Sequence, residues 1–238
     1  MRQLRNLFCF CLCPCLSFCH CNCICRYVSV QVYVSATVIS SAATYSCSST
    51  AAHSNEMLYI VRYLKDSSFR GLTLHPGLKG QPLQLTCYVD ASYLTHKDSK
   101  SQTGYCLSFG NLGSFYSKSS KQSLVATSST HAEIRALQAL TLDILFIIHL
   151  CNELQRPLTL PCIFFEDNQP LLDITSELAK HSRLMLISFL KEQLALGYIS
   201  LQKIDSARNY ADIFTKIVTG VEFERKALWI LGITTPSL

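Results

Sequence analysis

Alternating apolar and polar positions predict three strands near the middle of the chain. Residues 83–90 alternate and end at Asp90, and two shorter runs follow at 105–109 and 114–117. The four residues at 110–113, Gly-Asn-Leu-Gly, separate the last two runs and are typical of a hairpin turn. We therefore expect three antiparallel strands, the first of which ends at a carboxylate.

Beyond this hairpin, apolar positions recur every three or four residues and predict an amphipathic helix at about 130–154. Ser128, Ser129 and Thr130 offer N-caps for this helix, Thr130 and Glu133 have the spacing of a capping box, and Pro157 ends the helical pattern. The positions that carry the periodicity are Ile134, Leu137, Thr141, Ile144 and Ile148.

The last third of the chain alternates strand and helix patterns. A fully apolar run at 161–165 is typical of a strand buried on both faces, and it leads into Glu166 and Asp167. Asn168 is placed to cap a short helix that runs through Ser176. The later predicted elements are a helix at 182–195, a strand at 198–204 and a final helix that opens at 209–216.

The resulting element order is β-β-β-α-β-α-α-β-α. It predicts an α/β fold with a mixed five-stranded sheet, in which three antiparallel strands precede the crossover strands and helices flank the sheet. Sites in such sheets gather outside the carboxyl ends of the strands. Asp90 and Asp167 both lie at such ends, so we expect them to meet.

Charge adds little to this picture. The formal net charge is +5, but residues 1–55 hold three arginines and no acidic residue, and the rest has 18 lysines and arginines against 16 acidic residues. This near-neutral main region has no strong electrostatic signature of nucleic-acid binding. Any such activity must be argued from a site.

Residues 1–55 form a segment of biased composition. Eight of the 13 cysteines lie between Cys9 and Cys25 at nearly every second residue, a spacing that fits zinc-ligand pairs poorly. A short apolar run imitates a signal peptide, but Pro14 interrupts it and no clear cleavage site follows promptly. We expect a low-complexity leader that is disordered or spurious. Secretion, palmitoylated cysteines and metal binding are the alternatives.

The cysteines of the main region predict a reduced environment. Cys87, Cys106 and Cys162 lie in or beside apolar runs, where a free thiol usually fills space in the core. We therefore expect an intracellular protein of the cytoplasm or nucleus that is not secreted and has no membrane partner.

Four acidic residues are candidates for one site. Asp90, Glu133, Asp167 and Asp212 follow one another at separations of 43, 34 and 45 residues. Four converging carboxylates could hold two divalent cations and cleave a phosphodiester. Taken singly, each has a simpler explanation: Glu133 in the first turn of a helix complements the helix dipole, for example. Glu166 is interpreted only as a neighbour of the ligand Asp167.

Short strings of residues, several of which contain these acids, follow one another in a specific order and spacing. They are Arg62-Tyr63-Leu64-Lys65, Tyr88-Val89-Asp90-Ala91-Ser92, Lys100-Ser101-Gln102-Thr103-Gly104-Tyr105, Ser117-Lys118-Ser119-Ser120-Lys121-Gln122, Ser128-Ser129-Thr130 with Ala132-Glu133, Asp167-Asn168-Gln169, Lys180-His181, and Ala211-Asp212 with Thr215-Lys216. With these strings, residues from about 59 to 233 resemble the ribonuclease H region of copia-type (Pseudoviridae) retrotransposon Pol polyproteins.

The resemblance implies a ribonuclease H-like fold and cleavage of the RNA strand of an RNA–DNA hybrid. By it, Asp90 bridges two Mg²⁺ or Mn²⁺ ions, while Asp167 and Asp212 complete one ion each. Glu133 would bind one ion and sense the 2′-hydroxyl that distinguishes RNA from DNA. Lys118, Lys121 and Asn168 are the candidates for substrate contact. His181 is a candidate for product release, although a capping or packing role is the simpler interpretation.

The resemblance also implies a domain division. Residues 56–82 would be a remnant of the reverse transcriptase connection, and residues 83–233 the ribonuclease H-like domain. The reverse transcriptase partner would be missing, which makes the chain look like a C-terminal fragment.

Three functions stay open at this point: a metal-dependent nuclease, a catalytically silent remnant that binds nucleic acid or protein, and a secreted cysteine-rich protein. Polymerase activity is excluded because Ala91 follows Asp90 where a second carboxylate would be needed.

Overall fold

Five strands form one mixed sheet in the computed structural model, which describes residues 51–67, 69–74, 83–110, 113–175 and 185–233. The strands are β1 (Leu83–Ser92), β2 (Gln102–Phe109), β3 (Tyr116–Lys121), β4 (Leu158–Glu166) and β5 (Ile199–Lys203). The helices are α1 (Ala51–Asp66), α2 (Ser129–Glu153), α3 (Gln169–Thr175), α4 (Met185–Ala195) and α5 (Gly220–Ile230), with two 3₁₀ turns at Ser206–Arg208 and Tyr210–Phe214.

The sheet order is β3-β2-β1-β4-β5. The first three strands pair antiparallel, and β4 and β5 add parallel to the β1 side. This confirms the predicted mixed five-stranded sheet and the ribonuclease H-like α/β fold. The order places β1 at the centre, next to the strand that carries Glu166 at its end.

Each face of the sheet packs against its own helical layer. One core lies under α2, α3 and α4 and includes Val89, Leu137 and Phe164. The other lies under the second 3₁₀ turn and α5, where the rings of Tyr210 and Trp229 stack at 4.0 Å between centroids. Because both faces are covered, β1 is buried on both sides along most of its length.

The start of α2 is set by the first of the three predicted N-caps. Ser128 is the N-cap, and its hydroxyl accepts a hydrogen bond from the backbone N–H of His131 at 3.1 Å. The capping box predicted for Thr130 and Glu133 is therefore wrong. Because the helix begins two residues earlier, Glu133 lies in its second turn and is buried.

The end of the chain also differs. Where a final helix was predicted to open, at 209–216, the chain forms a 3₁₀ turn at Tyr210–Phe214, and the helix α5 begins only at Gly220. Asn209 explains the tight turn: its side-chain amide donates to the Val89 carbonyl at 2.8 Å, and its Oδ1 accepts from the Ala211 N–H at 3.1 Å. The bond to Val89 ties the turn to β1, and the local bond to Ala211 caps a short 3₁₀ turn instead of a longer helix.

The segment before β1 packs on α5. Tyr63 meets Phe223 edge-on, Arg70 forms a 2.6 Å ion pair with Glu224, and the Thr73 N–H donates to the Leu231 carbonyl at 2.8 Å. Helix α1 begins at Ala51, inside the segment 1–55 that was assigned to the leader. His181 lies outside the described residues, as do the eight cysteines between Cys9 and Cys25. The domain division stays a prediction.

Helix α2 is long and apolar enough to cross a membrane by length and composition alone. Its inner face is buried against β1 and β2, however, and a core helix of this kind passes the same test. The cysteines fit this packed interior: Cys87, Cys106 and Cys162 are free and buried, as predicted.

Candidate active site

Asp90 lies on the central strand and is only 1% exposed. Its register partner on β2 is Gly104, so the two residues point to the same face of the sheet. A Cβ added at Gly104 would lie 2.5 Å from the Thr215 methyl carbon and 2.8 Å from the Phe214 Cβ. Glycine is therefore needed for the second 3₁₀ turn to approach Asp90 so closely.

This turn and the end of β4 bring two further carboxylates to Asp90. Asp212 lies inside the turn and is 6% exposed, and Asp167 follows β4 and is half-buried. One ligand oxygen from each of Asp90, Asp167 and Asp212 lies within 4.8 Å of the other two. Three oxygens at this separation can hold a divalent cation, because Mg²⁺ and Mn²⁺ prefer carboxylate oxygens.

Two lysines already contact these carboxylates. The Lys216 ammonium donates to Asp90 Oδ1 at 3.1 Å and to Asp212 Oδ1 at 2.7 Å. Lys226 is fully buried, and its ammonium donates to Asp212 Oδ2 at 2.5 Å and to the Asn209 carbonyl at 2.7 Å. The Thr215 hydroxyl donates to the remaining Asp90 oxygen, Oδ2.

These contacts bear on the charge balance of the cluster. Neighbouring carboxylates raise one another's pKa, and a nearby positive charge lowers it. Burial does raise the pKa of Asp90 above its ordinary value, but the Lys216 charge and the Thr215 hydrogen bond oppose the shift. Lysines therefore balance part of the charge around Asp90 and Asp212.

Among the described residues, no lysine donates a hydrogen bond to Glu133 or Glu166. Both are at least 94% buried, and in each the Oε2 atom has no hydrogen-bond partner among the described residues. The Asn168 N–H donates to the other oxygen of Glu166, Oε1, at 3.0 Å. Buried polar atoms without partners are rare in folded proteins, so these two oxygens indicate a missing ligand or a bound proton.

The pKa shifts of this pair support that interpretation. Burial raises the pKa of Glu133 well above its usual range, and the charges of Glu166, Asp90 and Asp167 raise it further. Burial also raises the pKa of Glu166 to about 8. Glu133 is not part of the group within 4.8 Å, so three of the four predicted acids converge on one cation position and the fourth lies beside a fifth carboxylate.

The residues present fit a divalent-cation site. The carboxylate oxygens of Asp90, Asp167 and Asp212 supply hard ligands at one point, and the unpartnered Glu133 and Glu166 oxygens supply acceptors next to it. The number and identity of the ions and the ligand roles of the four acids stay predictions.

The three predicted substrate-binding residues all have partners within the protein. Lys118 pairs with Asp143 at 3.4 Å, and Lys121 pairs with Asp98 at 2.8 Å. Asn168 accepts the Leu171 N–H at 3.0 Å, which confirms its predicted capping of α3. Both lysine side chains are more than a third exposed, so a substrate phosphate could still reach them.

The sequence-based interpretation missed three residues of the site. Lys216 was part of a quoted string without a role, and Glu166 was taken as a neighbour only. Lys226 was not considered, although Glu222 and Lys226 have the i, i+4 spacing of a helical ion pair, and they do pair at 3.3 Å. That spacing, together with the apolar positions Phe223, Ala227 and Ile230, could have predicted α5.

Comparison with known proteins shows what the chain resembles. No protein-family model matches it. It is 30% identical over 190 residues to the retrovirus-related Pol polyprotein from transposon RE1 of Arabidopsis thaliana, covering 78% of this chain and 13% of that protein. The corresponding protein from transposon RE2 is 29% identical over 180 residues, covering 74% of this chain and 12% of that protein.

Solved structures give a weaker likeness. LC11-RNase H1, isolated from compost by a metagenomic approach, was solved in complex with an RNA/DNA hybrid. It is 12% identical with a TM-score of 0.42, over 56% of this chain and 94% of that one. RNase H1 from the halophilic archaeon Halobacterium salinarum NRC-1 is 14% identical with a TM-score of 0.38, over the same shares. Both scores are below 0.5, so the fold assignment rests on the sheet order.

The resemblance predicted from the short strings is thereby confirmed. Over 78% of its length, the chain is similar to a retrotransposon Pol polyprotein, of which it spans 13%.

Proposed function

We propose that this chain is a metal-dependent endonuclease that cleaves the RNA strand of RNA–DNA hybrids. The observation that carries the proposal is the convergence of Asp90, Asp167 and Asp212 within 4.8 Å at the carboxyl ends of β1 and β4. These are three of the four acidic positions that the resemblance implies, and they come from separate parts of the chain.

Bound divalent cations would supply Lewis acidity and activate a water for attack on the phosphorus. Asp90, Asp167 and Asp212 would hold them, with Glu133 as the fourth ligand and Mg²⁺ or Mn²⁺, two ions, as the cofactor. Lys226 would keep Asp212 Oδ2 engaged, so that Oδ1 faces the ion. The Thr215 hydroxyl would orient the Asp90 carboxylate in the same way.

Substrate contact is proposed at exposed positions around the site. Lys118 and Lys121 lie on β3, the edge strand, from which their ammonium groups could exchange an aspartate for a backbone phosphate. Asn168 lies directly after Asp167, but its side chain already caps α3, so its contact would come from the free amide nitrogen. We place the activity inside the cell, because the core cysteines are free.

The test uses the full chain and four labelled substrates: an RNA–DNA hybrid, double-stranded RNA, single-stranded RNA and duplex DNA. Cleavage of the hybrid in Mg²⁺, and none in EDTA, is expected. The control is Asp90→Asn, which keeps the shape of the side chain but removes one charge. Its rate should fall about 10³-fold, since metal-assisted charge stabilisation contributes several kcal/mol. Equal rates for both proteins would reject the proposal.

One observation favours a second candidate function, that of a catalytically silent module. Lys216 and Lys226 donate hydrogen bonds to three carboxylate oxygens of Asp90 and Asp212, with no metal ion needed for these contacts. A site balanced in this way could persist as structure and bind nucleic acid or protein only. In that case hybrid binding would be measurable, cleavage would be absent, and Asp90→Asn would bind as the original chain does.

A further inference from the structure

The Lys216 ammonium lies between the two carboxylates that a bridging cation would use. It is 3.1 Å from Asp90 Oδ1 and 2.7 Å from Asp212 Oδ1. Asp90 and Asp212 both belong to the group of three whose ligand oxygens lie within 4.8 Å of one another. The monovalent ammonium group of Lys216 thus lies among the oxygens that would receive a divalent ion.

The second lysine of the site is held in a different way. Lys226 has no exposed side-chain surface, and its ammonium is fixed by the Asn209 carbonyl as well as by Asp212. The Lys216 side chain is 47% exposed, and the contacts described for its ammonium are the two carboxylates. Its backbone N–H is anchored to the Asp212 carbonyl at 2.8 Å. The side chain can therefore swing into solvent while the turn stays in place.

We propose that Lys216 is an internal counter-ion that occupies the bridging position of the metal-free site and is displaced when a divalent cation binds. Lys216 thereby sets the metal affinity of the site. The inference rests on the proposed function, because it needs the carboxylates to be metal ligands.

Competition between the two cations gives the inference a direction. Lys216 makes two charge-assisted hydrogen bonds that must break before Asp90 and Asp212 can turn their Oδ1 atoms to an ion. Removing the ammonium removes this cost. At a half-exposed position the gain corresponds to about a tenfold tighter binding constant.

The test is calorimetric titration of the full chain with Mn²⁺, without substrate, for the original protein, Lys216→Gln and Lys100→Gln. Lys100 is a matched control, because it loses the same charge from an ion pair, with Asp98 at 3.5 Å, that lies outside the carboxylate cluster. We expect the dissociation constant to fall about tenfold for Lys216→Gln and to stay unchanged for Lys100→Gln. Equal or weaker Mn²⁺ binding by Lys216→Gln would overturn the inference.

A second variant covers the case in which Lys216→Gln does not fold without metal. Lys216→Arg keeps the charge, and a guanidinium can bridge two carboxylates with its fixed fork of donors. It should bind Mn²⁺ no more tightly than the original chain, and tighter binding would contradict displacement.

Failure of the inference and failure of the proposed function can be told apart. If the folded original chain binds Mn²⁺ and Lys216→Gln gains nothing, the inference alone falls. If neither protein binds Mn²⁺ while both have the circular dichroism of an α/β fold, the metal site fails, and the inference falls with it.

Discussion

The two sides of the carboxylate cluster differ in how their charge is balanced. On one side, Asp90 and Asp212 accept hydrogen bonds from Lys216, Lys226 and Thr215. On the other side, Glu133 and Glu166 are buried, each with one oxygen that has no partner among the described residues, and burial raises the pKa of both. Lysines balance part of the charge of the first side, whereas the second needs a proton or a metal ion.

This contrast indicates how the site could be both folded and reactive. On the side of Asp90 and Asp212, the hydrogen bonds from Thr215 and Lys216 hold the second 3₁₀ turn against β1 without using a metal ion. The glutamate side keeps free acceptor atoms in a buried place, where an interaction with a cation is strong because water does not compete.

The largest effect on stability is expected at Lys226. Lys226→Met removes the buried partner of Asp212 and leaves a carboxylate facing an apolar side chain. Removing one member of a buried ion pair costs about 3–5 kcal/mol, so the free energy of unfolding should fall by that amount in urea denaturation. The double variant with Asp212→Asn should recover part of the loss, and strictly additive losses would show that the two residues are not coupled.

A smaller effect of opposite sign is expected at Glu166. Between pH 4.5 and about 8 the folded metal-free protein keeps a proton on Glu166 that the unfolded chain has released. Its stability therefore falls as pH rises through this window and levels off above it. Glu166→Gln removes this titration, so the variant should match the original chain near pH 4.5 and be more stable by a few kcal/mol at pH 8.5.

The groups facing Glu166 decide the size of this shift. Burial is its main cause, Asp167 and Asp90 raise the pKa further, and the Asn168 N–H lowers it. Glu133 is raised in the same way and remains in the variant, so some slope will persist. Parallel curves of unfolding free energy against pH for the two proteins would contradict the account of the glutamate side.

The smallest effect is expected where the second 3₁₀ turn approaches β2 at Gly104. Gly104→Ala places a Cβ against Thr215 and Phe214, and such overpacking typically costs about 1–3 kcal/mol. Because the turn must shift, Mn²⁺ affinity should fall along with the melting temperature. Gly71→Ala is the matched control, since nothing lies within 4 Å of a Cβ there. Unchanged metal binding in Gly104→Ala would show that the approach of the turn does not position the site.

The sequence predicted the sheet better than it predicted the site. Strand patterns and strand ends were sufficient for the mixed sheet and for the meeting of Asp90 with Asp167, because these depend on local periodicity and on sheet rules. The turn around Asp212 was predicted as the start of a helix, because the hydrogen bond from Asn209 to Val89 in β1 is long-range and leaves no periodic signal in the sequence. The burial of Glu133 depends on where α2 starts, and Ser128 rather than Thr130 sets that point.

The charge balance could not be predicted for a similar reason. Lys216 and Lys226 lie 126 and 136 residues after Asp90, and most of the described lysines are at least partly exposed. A sequence does not distinguish a buried lysine from a solvated one. Likewise, Glu166 stands next to Asp167, but the pleat of β4 turns it to the opposite face of the sheet, towards α2. Only the fold shows that five carboxylates and two lysines share one region.

The proposed site binds a divalent cation through Asp90, Asp167 and Asp212 together. The test is to grow crystals of the full chain with Mn²⁺ and to measure them at the manganese absorption edge. We expect an anomalous peak in contact with oxygens of all three aspartates, with the Lys216 ammonium moved away from Asp90. Crystals saturated with Mn²⁺ in which Lys216 still bridges Asp90 and Asp212, with no peak among the aspartates, would contradict it.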